Sequence, residues 1–322
     1  MSNPQFNLNT LKKHFKNYFR WVILTFTLVF IAQTLKIHWQ EVLTLQITAK
    51  AWRILPIALG VTLLAHIWSG WVWGWIIQLF GQPTDRVWVI STYLKTNIAK
   101  YLPGNVWHFV GRVRAVQGQG ASTGIAVMSV VLEPLLMAAA ALILASLSSP
   151  ESLSLQLIAL ASVLVGIHPR ILNPILRSLS RAKVSAATPL ANQAKGSNQA
   201  KGVDIIKTYP LLPLLGEIIF VLGRGFGFIL VVGSLTPERA LDYWQVIGQF
   251  SLAWLMGLII PGAPGGLGVF EATALTLMTP TLPTATVIGS VAIYRLVSTL
   301  AEALGAAMIG LDGLWDSKTD SA

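Results

Sequence analysis

Five ionisable residues lie inside stretches that are otherwise apolar: Glu133, Glu217, Arg224, Arg295 and Glu302. A charge near the centre of a bilayer costs about 2.5–3.5 kcal/mol on insertion scales, so such residues face a protein interior. There they either pair to hold helices together or line a polar path for a substrate. Glu217 and Arg224 are seven residues apart, as are Arg295 and Glu302. Seven residues is close to two helical turns, so each pair shares a helix face. If the two helices run in opposite directions, both arginines fall near mid-membrane and both acids nearer the cytoplasm. Two readings then stand. The arginines hold a phosphate through forked hydrogen bonds, or they are neutralised by Glu133, which also falls near the middle.

Two Pro-Gly breaks form a second constellation. KYLPGNVWHFVGRVR sets Pro103, Gly104, Asn105, His108 and Arg112 around one break. PGAPGGLGVFEA sets Pro261, Gly262, Pro264, Gly265, Gly266 and Gly268 around the other, followed by a helix expected from Leu267 with Glu271 in its first turns. Bare amides at a helix start attract anions. An acid there suits the dipole equally well, so Glu271 either closes its own loop or leaves it open to a ligand. The glycines equally suit close helix packing. GAPGGLG has no preceding strand and is not a dinucleotide fingerprint. His14, His38, His66, His108 and His168 match no metal-ligand spacing. The chain has no cysteine, which excludes thiol chemistry and disulfides. No metal or cofactor is expected.

Only 11% of the 322 residues are charged and 54% are hydrophobic, with a mean hydropathy of +0.64. Soluble domains carry about 25% charged residues. The fold class expected is an all-α polytopic membrane protein. Seven stretches suit a span of roughly 20 residues: Tyr18–Lys36, Ile54–Phe80, Thr123–Leu147, Leu153–Ile167, Tyr209–Leu235, Tyr243–Ile260 and Thr284–Leu311. Val87–Arg114 and Pro261–Met278 fit none of these. Broken backbone at membrane depth survives only when buried in protein or lining a wet cavity, so both read as re-entrant hairpins. Trp68, Trp71, Trp73 and Trp75 read as an interfacial aromatic belt.

The net charge of +10 is read as topogenic Lys and Arg rather than as a nucleic-acid surface. With Val87–Arg114 re-entrant, 17 of the 23 basic residues fall on the N-terminus, 81–120, 169–208 and the C-terminus. All four segments are then cytoplasmic. The chain divides into a basic tail (1–17), a first membrane half (18–168), a basic linker (169–208), a second half (209–311) and a tail (312–322). No cleavable signal peptide is evident. At a constant offset of 161, Pro103-Gly104 aligns with Pro264-Gly265, Phe109 with Phe270, and Ser129-Val130 with Ser290-Val291. Opposite directions for the two long helices make this an inverted repeat, a plan common in secondary transporters.

YLPGNVWHFVGR, Glu133 and PGAPGGLGVFEA together resemble the transmembrane region of lysylphosphatidylglycerol synthases, and more closely the stand-alone bacterial membrane proteins of that superfamily. The resemblance runs from about Tyr18 to Leu311. It implies a multi-pass protein of the bacterial plasma (inner) membrane that binds membrane lipids or moves them between leaflets, as a flippase. In two-part members a soluble domain makes the aminoacylated lipid. This chain has no length for one, so lipid transport without covalent chemistry is expected, and not an enzyme. The alternative is an accessory protein that anchors a separate lipid-modifying enzyme through the linker 169–208. A membrane-embedded enzyme would need an acid/base pair or metal cluster that the sequence does not offer.

Overall fold

The computed structural model describes residues 49–102, 106–148, 153–176, 178, 206–236, 240–260 and 268–319. The expected first span Tyr18–Lys36, the stretch 183–201, Pro103–Asn105 and Pro261–Leu267 lie outside them. The described residues are helical: α1 (Ala49–Leu79), α2 (Arg86–Asn97), α3 (Trp107–Gly118), α4 (Thr123–Leu147), α5 (Leu153–Gly166), α6 (Pro169–Leu176), α7 (Leu211–Leu235), α8 (Tyr243–Ile259), α9 (Val269–Met278) and α10 (Thr284–Thr319). A 3-10 turn, Ile98–Tyr101, continues α2.

Four helices, α1, α4, α7 and α10, are long and apolar enough to cross a membrane. A fifth candidate is the pair α5 and α6, bent by 58°. Tyr243–Ile260 differs from the sequence expectation. Helix α8 has 17 residues, about 25 Å at 1.5 Å per residue, short of a hydrocarbon core of about 30 Å. It packs on α9 as one arm of a hairpin, with Gln249 Nε2 donating to the Leu277 carbonyl at 2.9 Å and Phe250 against Phe270. Helices α2 and α3, twelve residues each, form the corresponding first hairpin. Gly111 sits against Thr96, where a Cβ would come within 3.0 Å. Helix α10 runs on to Thr319, into residues read from sequence as tail.

Local chemistry sets these boundaries. Asp85 caps α2 by accepting from the Trp88 N–H at 2.8 Å, and Asp242 caps α8 by accepting from Trp244 and Gln245. Gly268, at φ +87°, caps α9, and its N–H donates to Glu271 at 2.7 Å. The helix therefore begins at Val269 rather than Leu267. The offset of 161 between the halves reappears in the elements. It carries Thr123, the start of α4, to Thr284, the start of α10. It carries Trp107, the start of α3, to Gly268, the cap of α9.

Helices α1 and α7 cross antiparallel at the centre. Gly216 faces Val72 and Trp75, Gly223 faces Ala65, and Gly227 faces Thr62. Without Cβ atoms the backbones approach closely, as small residues permit between apolar helices. The Trp68 indole donates to the Gly216 carbonyl at 2.8 Å. Trp68, Trp71 and Trp75 pack edge on one another, but Trp73 is wholly buried and stacks on Trp88. Trp73 is therefore a core residue and not part of an aromatic belt.

A Cβ at Gly227 would lie 2.6 Å from Thr62 Oγ1, which is buried and bonded to the Ala58 carbonyl. Gly227→Ala should therefore destabilise the protein by about 1–3 kcal/mol through overpacking. Gly60, with nothing within 4 Å of its Cβ position, should accept alanine with no loss. Thermal unfolding of both variants in detergent measures this; equal behaviour would deny the glycine contact its role.

Candidate functional site

Three ion-pair groups occupy the interior, and each joins a hairpin to a long helix. In the first, Arg112 of α3 pairs with Glu133 of α4, both about 2% exposed. Arg112 also donates to Thr96 Oγ1 at 3.3 Å, reaches Asn97 Oδ1 at 3.5 Å and lies over the Tyr93 ring at 3.8 Å. In the second, Arg295 of α10 grips Glu271 of α9 with a fork: Nε to Oε1 at 2.8 Å and Nη2 to Oε2 at 3.3 Å. This is the bidentate geometry that only arginine offers a carboxylate. In the third, Glu302 of α10 accepts from Lys100 Nζ at 2.6 Å and lies 3.2 Å from His66 Nε2 and 3.8 Å from Arg224 Nη1. His66 of α1 is itself 2.9 Å from Arg224 Nη1. The Tyr294 hydroxyl donates to the Arg224 carbonyl at 3.0 Å.

These groups surround a cavity of about 650 Å³ between the two hairpins. Tyr101 and His108 flank the first break, Ile259 and Phe270 the second, and all four line the cavity. Its polar wall carries Lys100, Arg112, Arg224 and Arg295 with Glu133 as the lining acid. Apolar side chains share the lining, among them Leu135, Met137, Phe220, Trp254, Leu258 and Ile259. Leu258 and Ile259 are also exposed. Nε of Arg224 has no hydrogen-bond partner, so this guanidinium keeps a donor in hand.

Of the residues singled out by sequence, Glu133, Arg224, Arg295, Arg112 and His108 line the cavity. Glu271 and Glu302 stand behind it as partners of lining cations. Glu217 is buried with both oxygens unpartnered and does not line it. Gly268 acts as a helix cap, and Glu271 closes on it. The other loop residues, Pro103, Gly104, Asn105, Pro261, Gly262, Pro264, Gly265 and Gly266, lie outside the described residues.

The pairing differs from that expected. Sharing a helix face does not pair Glu217 with Arg224 or Arg295 with Glu302, because seven residues is about 10 Å of rise. Glu133 neutralises Arg112 and not the two central arginines. Lys100 and Arg112, counted among the loop charges, are drawn into interior ion pairs. Sequence reasoning missed His66 and Lys100 as site residues. His66 sits in an uninterrupted apolar helix with no motif around it. Lys100 stands three residues before Pro103, and that position beside a helix break was the available signal.

No family model matches the chain. A stretch of 83 residues is 34% identical to an uncharacterized protein of Synechocystis sp.. The match covers 26% of this chain and 24% of that protein, so the chain spans about a quarter of the length of this curated relative.

The Arg295–Glu271 fork predicts a coupling energy of about 1–3 kcal/mol between these residues in a double-mutant cycle of Arg295→Met and Glu271→Gln. The same cycle for Arg295 and Glu302 should give a value near zero. Thermal or denaturant unfolding reads both, and the reverse ranking would contradict the pairing.

Proposed function

We propose that this protein binds an anionic lipid headgroup in the central cavity and moves it across the bilayer without covalent chemistry. The observation that carries the reading is the cavity's mixed wall: four cations together with apolar side chains, of which Leu258 and Ile259 are exposed. A phosphate offers oxygens to the guanidinium groups while the acyl chains stay against Leu258 and Ile259. A cavity of about 650 Å³ falls within the range of about 300–1,000 Å³ typical of ligand sites. The likeness of the two Pro-Gly motifs and Glu133 to the transmembrane region of lysylphosphatidylglycerol synthases supports the same reading.

On this reading the two halves are an inverted repeat. The shared offset of 161 in element boundaries supports it, as does the antiparallel crossing of α1 and α7. Facing pairs on those helices, 66 with 224 and 62 with 227, have midpoints at 64 and 225.5, close to the same offset. The proposed protein has six spans, Tyr18–Lys36 among them and α8 with α9 as a hairpin, and lies in a bacterial inner membrane with its N-terminus cytoplasmic. The accessory role, anchoring a lipid-modifying enzyme through 169–208, is the second reading; the basic linker favours it, and it does not require the cavity.

Reconstitution in liposomes with fluorescently labelled phosphatidylglycerol tests transport. The wild type should move label between leaflets. Arg224→Lys should remain folded and slow this movement roughly tenfold, because an ammonium replaces the fork as a point charge. A wild type that moves no lipid favours the accessory role. Topology is tested separately in this cysteine-free chain: a cysteine at Ser197 should be shielded from an impermeant reagent in intact cells. Labelling there would reverse the proposed orientation.

A further inference from the structure

We propose that Glu217 is a proton-binding site whose occupancy is linked to that of the anion in the central cavity. The proposal deepens the transport reading above and rests on it for the identity of the anion.

Glu217 differs from every other acid at the centre. Glu133, Glu271 and Glu302 each hold a cation. Glu217 is 0% exposed, and neither carboxylate oxygen has a hydrogen-bond partner. Removing a carboxylate from water without donors or a counter-charge is among the most expensive burials a protein can make, and binding a proton removes the cost. In this arrangement Glu217 is therefore the neutral acid. The titratable groups in electrostatic range, among the described residues, are Tyr93 from α2, Arg112 from α3 and Glu133 from α4. From α1, the side chains against the neighbouring Gly216 are Val72 and Trp75, which do not titrate. From α8, Trp254 packs one turn away on Phe220.

The charge balance gives the proton a consequence. Lys100, Arg112, Arg224 and Arg295 line the cavity, and Glu133, Glu271 and Glu302 are their partners. With Glu217 protonated and the histidines neutral, this set carries one net positive charge, enough for one phosphodiester. Loss of the proton cancels that charge. It also offers Arg112 a second carboxylate beside Glu133. Anion and proton therefore favour each other's binding, and by linkage the effect is reciprocal. Anion affinity is high where Glu217 holds its proton and falls as pH rises through its titration.

The test uses the full-length protein in detergent with a short-chain phosphatidylglycerol as the probe. In weakly buffered solution the wild type should take up as much as one proton per lipid bound, and its affinity should fall with rising pH. Glu217→Gln copies the neutral acid. It should keep the wild-type thermal stability, take up no proton and bind with an affinity independent of pH. At a pH below the Glu217 titration, infrared spectra should show a buried carboxylic-acid carbonyl band in the wild type, with or without lipid, that is missing from the variant. Proton uptake is read at a higher pH, where the lipid-free protein has lost that proton. Unchanged proton uptake or an unchanged carbonyl band in Glu217→Gln would overturn the proposal. So would a large loss of stability, since it would mean that Glu217 is ionised and held by donors. If the wild type bound no phosphatidylglycerol while the band remained, the fault would lie with the anionic-lipid reading and not with the proton site.

Discussion

A guanidinium in an apolar interior must find an acid, and the rest of this architecture follows from how three arginines do so. Each solution ties one element to another. Arg112 fastens the first hairpin to α4, and Glu271 fastens the second hairpin to α10. Arg224 meets Glu302 and His66 where α1, α7 and α10 converge. Breaking a buried pair leaves an uncompensated charge, whereas an apolar contact of similar size degrades gradually. The pairs therefore specify which hairpin sits against which long helix. The glycine face of α7 supplies the close approach that brings Arg224 within 2.9 Å of His66.

The first two pairs occupy corresponding places with opposite polarity. In one half the hairpin's second arm carries the base (Arg112) and the following long helix the acid (Glu133). In the other, the hairpin's second arm carries the acid (Glu271) and the long helix the base (Arg295). An offset of 161 carries Glu133 to Tyr294, beside Arg295, and Arg112 to Thr273, two residues from Glu271. On the proposed inverted repeat, a duplicated ancestor with one such contact per half would account for this, since exchanging the charges within a pair preserves the attraction. Conserved identity would be lost in the exchange. That is one physical reason why so few residues match between the halves although their element boundaries agree.

What was legible in the sequence was whatever has a period or a break. The four long helices follow from uninterrupted apolar length, and Thr123–Leu147 was delimited to the residue. The short helices on either side of the Pro-Gly motifs were expected from those motifs, with one difference. Tyr243–Ile260 looked like a span because it bears no charge, but its length makes it an arm. The identity of the buried charges was also legible, because a charge in an apolar run is conspicuous. Their partners were not. Spacing along one helix reports which side chains share a face, and here the acid for each arginine comes from another helix. Lys100 and His66 were hidden for opposite reasons: the lysine looked like a loop charge, and the histidine lay in a run with no punctuation. The isolation of Glu217 is visible only in three dimensions, since it consists of what fails to reach it.

The hairpins also explain where the cavity lies. Helices of ten to seventeen residues cannot carry the chain across a hydrocarbon core, and the backbone freed at their broken ends must be covered by protein or by water. Two hairpins that share the long helices α4 and α10 bring their ends to a common centre, and Tyr101, His108, Ile259 and Phe270 meet around one space there. Long helices alone would have packed that volume with side chains. The space between the hairpin ends stays open, the cations at its wall keep it polar, and the exposed Leu258 and Ile259 give it an apolar margin. A soluble anion would need only the first two of these properties. The third is superfluous for any ligand without a hydrocarbon tail, and that is the physical ground for proposing an amphiphile as the occupant.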